Sequence, residues 1–323
     1  MKAVRIHNFG PTEDVLQYEE VPVPQPKAGE ILIKVEAASL NRADLSLRKG
    51  AYRISPDQLP VVPGRELAGT VEKLGDGVSE FNVGERVVAY PSLGGYAEYA
   101  IVKATEVRPI PRSLTTREAA AIPTTFLTAW FGLKTDGSLK AGEWLLVQGG
   151  SSGVGTAAIQ IAKYWNAKVI ANTGSEEKAR RLRELGADVT IVVSQKNFLP
   201  EVMRATGGRG ADVVLEMIGG DVYEKSLQAL APAGRLVSIG GAFGAIPEKP
   251  PALSEGRKAT RFSITNYLKE KPEEFKQLDE ILKLVRDRKF SVIIDKTFPL
   301  AETRAAQRYL EGRQHFGKVM LAM

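Results

Sequence analysis

With 323 residues, 43% of them hydrophobic and 25% charged, the chain has the composition of a globular protein and the length to build two cores. It has no cysteine and two histidines, which excludes disulfides, thiolate metal sites and cysteine nucleophiles and argues against a zinc site built from several imidazoles. The net charge of +6 is spread without a basic block, so it points to an anionic cofactor pocket rather than to nucleic acid, and no signal-like or membrane-spanning apolar run appears, which points to the cytoplasm.

Over residues 1–110, short β-like runs (ILIKVEAAS, GTVEKLG, RVVAYP, YAEYAIV) alternate with Pro and Gly turns, which predicts a compact β-barrel-like domain. From Thr115 the texture changes. TTREAAAIPTTFLTAWFGLK predicts a helix, a break at Pro123 and a second helix, and the domain junction is expected there. WLLVQGGSSGVG, residues 144–155, then reads as a strand ending in a phosphate loop, followed by a helix and the strand KVIAN. Gly149, Gly150, Gly153 and Gly155 give that loop its tight turn and let a pyrophosphate approach main-chain N–H groups. Further strands at 188–193, 211–218 and 234–241 alternate with helices at 176–186, 197–206 and 221–230, the pattern of an α/β doubly wound parallel sheet.

The end of the second strand of this unit bears on the cofactor. An NAD-specific fold presents an acidic residue there to the ribose 2′-hydroxyl. VIANTGSEEK offers Asn172, Thr173, Gly174 and Ser175 instead, with Lys178 one helical turn on, a small neutral surface beside a lysine that suits the 2′-phosphate of NADPH. Ser175 also reads as a helix cap, with Glu176 and Glu177 in the first turn. After Gly241 come a Gly/Pro loop, a strand-like RFSIT, an amphipathic helix in PEEFKQLDEILKLVRDR and a terminal strand, helix and strand whose last member could pair back onto the first domain.

These pieces, in this order, resemble the medium-chain dehydrogenase/reductase superfamily, and within it the zinc-free quinone oxidoreductase branch. The resemblance runs from ILIKVEAASLNRADLSLRKGAY and PVVPGRELAGTVEKLGDGV through VGERVVAY, GGYAEYAIV and IPTTFLTAW to GGSSGVG and EGRQHFGKVML. It implies a GroES-like catalytic domain over residues 1–124, completed by 266–323, around a Rossmann NADPH-binding domain over 125–265. Where the zinc-dependent alcohol dehydrogenases carry a cysteine ligand this chain has Asn41, and where they carry Gly-His-Glu it has Gly64-Arg65-Glu66. The four-cysteine lobe is absent. Metal-free chemistry is therefore expected, with hydride passing from NADPH to an acceptor that is already electrophilic, a quinone or an activated C=C bond.

The resemblance also places roles. Asn41 matches an active-site asparagine, and Tyr52 a pocket tyrosine able to donate a hydrogen bond or proton. Ser46 stands where relatives often have a second tyrosine, and Val193 lies in the region where another would meet the phosphate. Thr128 matches an anchor for the nicotinamide carboxamide, while Gly150, Ser151, Gly153 and Val154 are expected to cradle the diphosphate, and Gly240, Gly241 and Phe243 to lie beside the nicotinamide ribose. The glycine spacing and Tyr164-xxx-Lys168 also fit short-chain dehydrogenases, but the pair closes the first helix, so it is read as structural. Two alternatives stay open: a 2-enoyl-thioester or 2-alkenal reductase, for which Arg42, Arg48, Lys49, Arg53 and Arg65 would line a basic channel, and a non-catalytic NADPH-binding protein. A homodimer is expected, from an open sheet edge at RFSIT and from the resemblance.

Overall fold

Runs of alternating apolar and polar residues shape the N-terminal part of the chain. In the computed structural model, which describes residues 1–51, 54–240, 245–247, 249 and 251–323, β1 (Lys2–Ile6) and β2 (Leu16–Glu20) form an antiparallel pair. The long strand β3 (Glu30–Ser39) turns Ile31, Ile33 and Val35 into the core and leaves Lys34 and Glu36 exposed. It leads into α1 (Arg42–Arg48). Next come β4 (Leu67–Leu74), β5 (Arg86–Ala89), β6 (Tyr99–Lys103) and β7 (Val107–Pro109). The first helix before the junction, α2 (Thr116–Ala120), is closed at its start by a capping box in which Thr115 and Glu118 serve each other's backbone. Pro123 then opens α3 (Pro123–Phe131), since its missing N–H costs nothing at the first helical position.

The central strands that follow are largely buried on both faces, as a sheet covered by helices on both sides requires. Their order in the chain is β8 (Trp144–Val147), α4 (Gly153–Tyr164), β9 (Lys168–Thr173), α5 (Glu176–Glu184), β10 (Val189–Val192), α6 (Phe198–Ala205), β11 (Ala211–Glu216), α7 (Asp221–Gln228), β12 (Leu230–Ser238) and β13 (Lys258–Arg261). All pair in parallel, in the spatial order β10-β9-β8-β11-β12-β13. The winding direction reverses between β8 and β11, so a crevice opens at the carboxyl ends of these two strands. The sheet edge is β13, three residues before the RFSIT stretch read as a strand from sequence. Phe262 is buried, and Ser263 caps α8 (Ile264–Glu270) by accepting from the Asn266 N–H, so RFSIT leaves the sheet after Arg261.

The chain ends with α9 (Gln277–Arg286), β14 (Ile294–Pro299), α10 (Thr303–Glu311) and β15 (Lys318–Ala322). β15 pairs antiparallel with β3, Met320 opposite Ser39, in a sheet of order β14-β15-β3-β4-β5-β7 with β6 also on β3. Contacts divide the chain into two units, Met1–Thr124 with Lys276–Met323, and Thr125–Phe275. The second division falls ten residues beyond the 265/266 boundary drawn from sequence, because α8 packs Tyr267 against Phe131 and Phe262, at ring-centroid distances of 4.6 and 5.8 Å. No described helix is long and apolar enough to cross a membrane.

Candidate active site

Three neighbouring strands of the first unit deliver one buried polar cluster. β3 runs antiparallel to both β4 and β15, so its last residues lie beside the first residues of the other two. Ser39 and Asn41 therefore meet Glu66 and Lys318. Glu66 is fully buried, and its Oε1 accepts from Ser39 Oγ at 2.5 Å, Asn41 Nδ2 at 2.8 Å and Lys318 Nζ at 2.9 Å, while Oε2 accepts from the Thr124 N–H at 2.7 Å. Lys318, 5% exposed, spends its other protons on Leu40 O at 2.8 Å and Asn41 Oδ1 at 2.9 Å. Burial by itself would raise the Glu66 carboxyl, but the Lys318 charge and the donors around it outweigh burial and hold it below the usual carboxylate range. The two side chains form a buried ion pair.

A second carboxylate fixes the adjoining turn. Asp44 accepts from the Asn41 N–H and from Tyr96 OH, each at 2.7 Å. Burial pushes Asp44 up, against the pull of Tyr96, Arg65 and the Asn41 N–H, and burial with the Asp44 charge raises Tyr96 well above its ordinary value. Tyr96 is thus a donor to Asp44. Its ring fixes the backbone beside Glu66: at Gly64, φ +95°, a Cβ would stand 2.4 Å from it. Arg65 is buried, with its guanidinium 5.9 Å from the Tyr90 ring centroid.

In the second unit the glycine loop and the start of α4 form a cradle. Ser152 caps α4, accepting from the Gly155 N–H at 3.0 Å while its hydroxyl donates to Met217 Sδ at 3.2 Å. The first N–H groups of the helix, at Gly153 and Val154, have no partner within the helix, and residues 151–154 are half-buried. Gly155 is where strand and helix come closest: a Cβ there would lie 2.5 Å from Gly149 O and 2.6 Å from Gly150 O. Backbone donors, the positive end of a helix dipole and a surface without side chains are what a diphosphate needs. The residues fit that group.

Beneath this cradle the sheet carries a buried polar row. Asn172, Gln148, Glu216 and Ser238 occupy neighbouring positions at the carboxyl ends of β9, β8, β11 and β12. Asn172 Nδ2 donates to Gln148 Oε1 at 2.7 Å, and Gln148 Nε2 to Ser226 Oγ at 2.9 Å. Asn172 and Thr173 are 2% and 3% exposed, so neither belongs to the surface that sequence assigned them, which reduces to Gly174, Ser175 and Lys178. Glu216 Oε1 accepts from the N–H groups of Ile218 and Gly219, at 2.7 and 2.9 Å, and so shapes the turn that packs on Gly149.

Burial raises the Glu216 carboxyl, opposed by the Gly219 and Ile218 N–H groups. A carboxyl raised on folding destabilises the protein above its folded pKa, and the cost vanishes as pH falls below the unfolded value. Glu216→Gln keeps the Oε1 acceptor without the charge. It is expected to stabilise the protein by roughly 1–2 kcal/mol at pH 8 and to be neutral near pH 4. Melting curves at both pH values check this, and an equal difference at both contradicts it.

The sequence-derived site residues fall in three groups. Asn41 lies 8% exposed in the Glu66–Lys318 cluster. Gly150, Ser151, Gly153 and Val154 are in the cradle, Ser175 caps α5 by accepting from the Lys178 N–H at 3.3 Å, Thr128 is 7% exposed within α3, and Gly240 (φ +132°) follows β12. Tyr52, Gly241 and Phe243 lie outside the described residues, as does Arg53. The hydroxyl of Ser46 bonds back to Arg42 O at 3.4 Å. Two members of the expected basic channel are structural instead. Arg48 is fully buried and binds Gln307 and Glu311 of α10 and Pro11 O, and Lys49 pairs with Glu311 at 2.7 Å. Sequence reading passed over Glu66 and Lys318 as site members. The signal was a lysine opening the otherwise apolar strand KVMLA, since a lysine buried there must have a charged partner.

A dinucleotide-type unit joined to a barrel-like catalytic unit defines a dehydrogenase of the medium-chain class. The family model for the alcohol dehydrogenase GroES-like domain matches residues 27–112, and that for the zinc-binding dehydrogenase domain matches 153–283. Quinone oxidoreductases of Rattus norvegicus and Homo sapiens are each 32% identical over 326 residues, covering all of this chain and 98% of theirs. Among solved structures, Escherichia coli quinone oxidoreductase complexed with NADPH superposes with a TM-score of 0.93 at 29% identity, and a mycobacterial protein complexed with NADPH with 0.91 at 32%, each covering both chains in full. The chain belongs to the quinone oxidoreductase family of the medium-chain dehydrogenase/reductase superfamily.

The second family model carries zinc in its name, and the side chains here do not fit that ion. In the first unit's cluster, where the resemblance expects the ligand positions of zinc-dependent relatives, the acceptors Asn41 Oδ1 and Glu66 Oε1 are turned to the Lys318 ammonium. Among the described residues no three His, Cys, Asp or Glu side chains are grouped to hold a metal.

Proposed function

We propose that this chain is a zinc-independent, NADPH-dependent reductase that transfers hydride to a quinone or an activated C=C bond. The observation that carries the reading is the glycine cradle at the start of α4, beside the point where the sheet reverses its winding. NADPH complexes of two structural neighbours support the cofactor. Metal independence is supported by Lys318, whose ammonium takes the acceptors a metal would need.

When bound, NADPH supplies the hydride. The N–H groups of Ser151, Gly153 and Val154 hold the diphosphate, with Gly150, whose own N–H is given to Asn172 O at 2.8 Å, leaving room for its approach. Thr128 holds the carboxamide, and Gly240 borders the nicotinamide ribose. Asn41 orients the reacting groups, and Tyr52 donates a hydrogen bond to the acceptor's carbonyl oxygen. Ser175 and Lys178 take the 2′-phosphate. Lys178→Glu is accordingly expected to raise the KM for NADPH more than about tenfold while leaving that for NADH nearly unchanged; equal effects on both would remove Lys178 from this role.

Initial rates of NADPH oxidation with 1,4-benzoquinone, 9,10-phenanthrenequinone, a 2-alkenal and crotonyl-coenzyme A test the acceptor class. Quinone turnover is expected to be fastest and insensitive to a chelator. Preference for the alkenal or thioester would move the assignment to ene reduction, which the burial of Arg48 and the Lys49–Glu311 pair already disfavour as a coenzyme A channel. We also propose a homodimer paired through β13, which light scattering should show at twice the chain mass of 35.1 kDa; a monomer mass would contradict it.

A further inference from the structure

Asn41 is held at both ends of its amide. Its Nδ2 donates to Glu66 Oε1 at 2.8 Å and to Ser39 O at 3.4 Å, and its Oδ1 accepts from Lys318 Nζ at 2.9 Å. Exchanging the amide's O and N would set an NH2 group against the ammonium and an oxygen against the carboxylate. Both contacts are then repulsive. The Lys318–Glu66 pair therefore selects one of the two flip states that the shape of an amide alone does not distinguish. Lys318 is fixed in turn, because its three N–H donors form a tripod on Leu40 O, Asn41 Oδ1 and Glu66 Oε1. A pair of ions this deeply buried adds little net stability over an apolar pair of the same size. Its other effect is geometric.

We infer that Lys318 is a positioning residue for the hydride-transfer step: its ammonium, locked to Glu66, fixes the amide of Asn41 in the orientation turnover requires. The inference rests on the reading of Asn41 as a member of the active site. Lys318 itself touches neither substrate nor cofactor in this account. It acts through Asn41, so the two residues must fail together rather than separately.

A double-mutant cycle at saturating NADPH tests this. Asn41→Ala and Lys318→Met are each expected to lower kcat at least about tenfold, and the double variant to lose no more than Asn41→Ala alone. Lys318→Arg, which keeps the cation, should recover part of the loss. The three tryptophans, at 130, 144 and 165, all lie in the second unit, so quenching of their fluorescence by NADPH reports cofactor binding there, and its Kd should not change with Lys318→Met. If Lys318→Met does not fold, Glu66→Gln with Lys318→Met, which strands no charge, takes its place in the cycle against wild type. Losses that multiply in the double variant, or full kcat in Lys318→Met beside a slow Asn41→Ala, overturn the inference while leaving the proposed function standing. Full kcat in Asn41→Ala overturns the reading of Asn41 and this inference with it.

Discussion

Gly155→Ala is expected to weaken NADPH binding at least about 100-fold, a loss near 2.7 kcal/mol. The new methyl would stand 2.5 Å from Gly149 O and 2.6 Å from Gly150 O, both main-chain atoms that cannot swing aside. Relief requires the start of α4 to move off β8, and with it the N–H groups at Gly153 and Val154. Gly132→Ala is the control in the same unit: its methyl would meet Phe262, Val237 and Leu215 at 3.6–3.8 Å, ordinary contact distances, and binding should stay within about twofold of wild type. Tryptophan quenching titrations measure both. Undiminished affinity in Gly155→Ala would place the diphosphate elsewhere.

The second large effect is on stability. Glu66→Leu leaves the Lys318 ammonium buried with two neutral oxygens as its only acceptors, and removing one partner of a buried ion pair costs about 3–5 kcal/mol. Replacing both, as Glu66→Leu with Lys318→Met, should recover most of that loss, because no charge is then stranded. The pairing of penalty and recovery is what separates a buried charge from a simple packing defect, for which the double variant would be worse than either single one. Urea unfolding followed by far-ultraviolet circular dichroism measures it, since no tryptophan lies in the first unit. A single-variant loss below about 1 kcal/mol would mean that water reaches Lys318.

What was legible in the sequence follows from how local each signal is. The alternation of strand and helix from Trp144 to Ser238 could be read because period and turn chemistry sit within ten or twenty residues of each other, and the helices expected at 176–186, 197–206 and 221–230 appear as α5, α6 and α7 with ends trimmed by one or two residues. RFSIT misled because alternation cannot weigh a serine cap against one more strand residue. Asn172 was read as surface because a strand end usually is, whereas the row through Gln148 and Ser226 buries it. The Glu66–Lys318 pair joins residues 252 apart. Nothing local to either one names the other, and only the register of β15 on β3 and β3 on β4 brings them together.

Metal-free hydride transfer from NADPH can be followed in a single turnover. Enzyme saturated with NADPH is mixed with excess 9,10-phenanthrenequinone in the presence of a chelator, and the nicotinamide absorbance is followed. The whole bound NADPH signal should be lost rapidly, at a rate the chelator does not change. Bound NADPH that persists unoxidised, or that reacts only when zinc is added back, would contradict it.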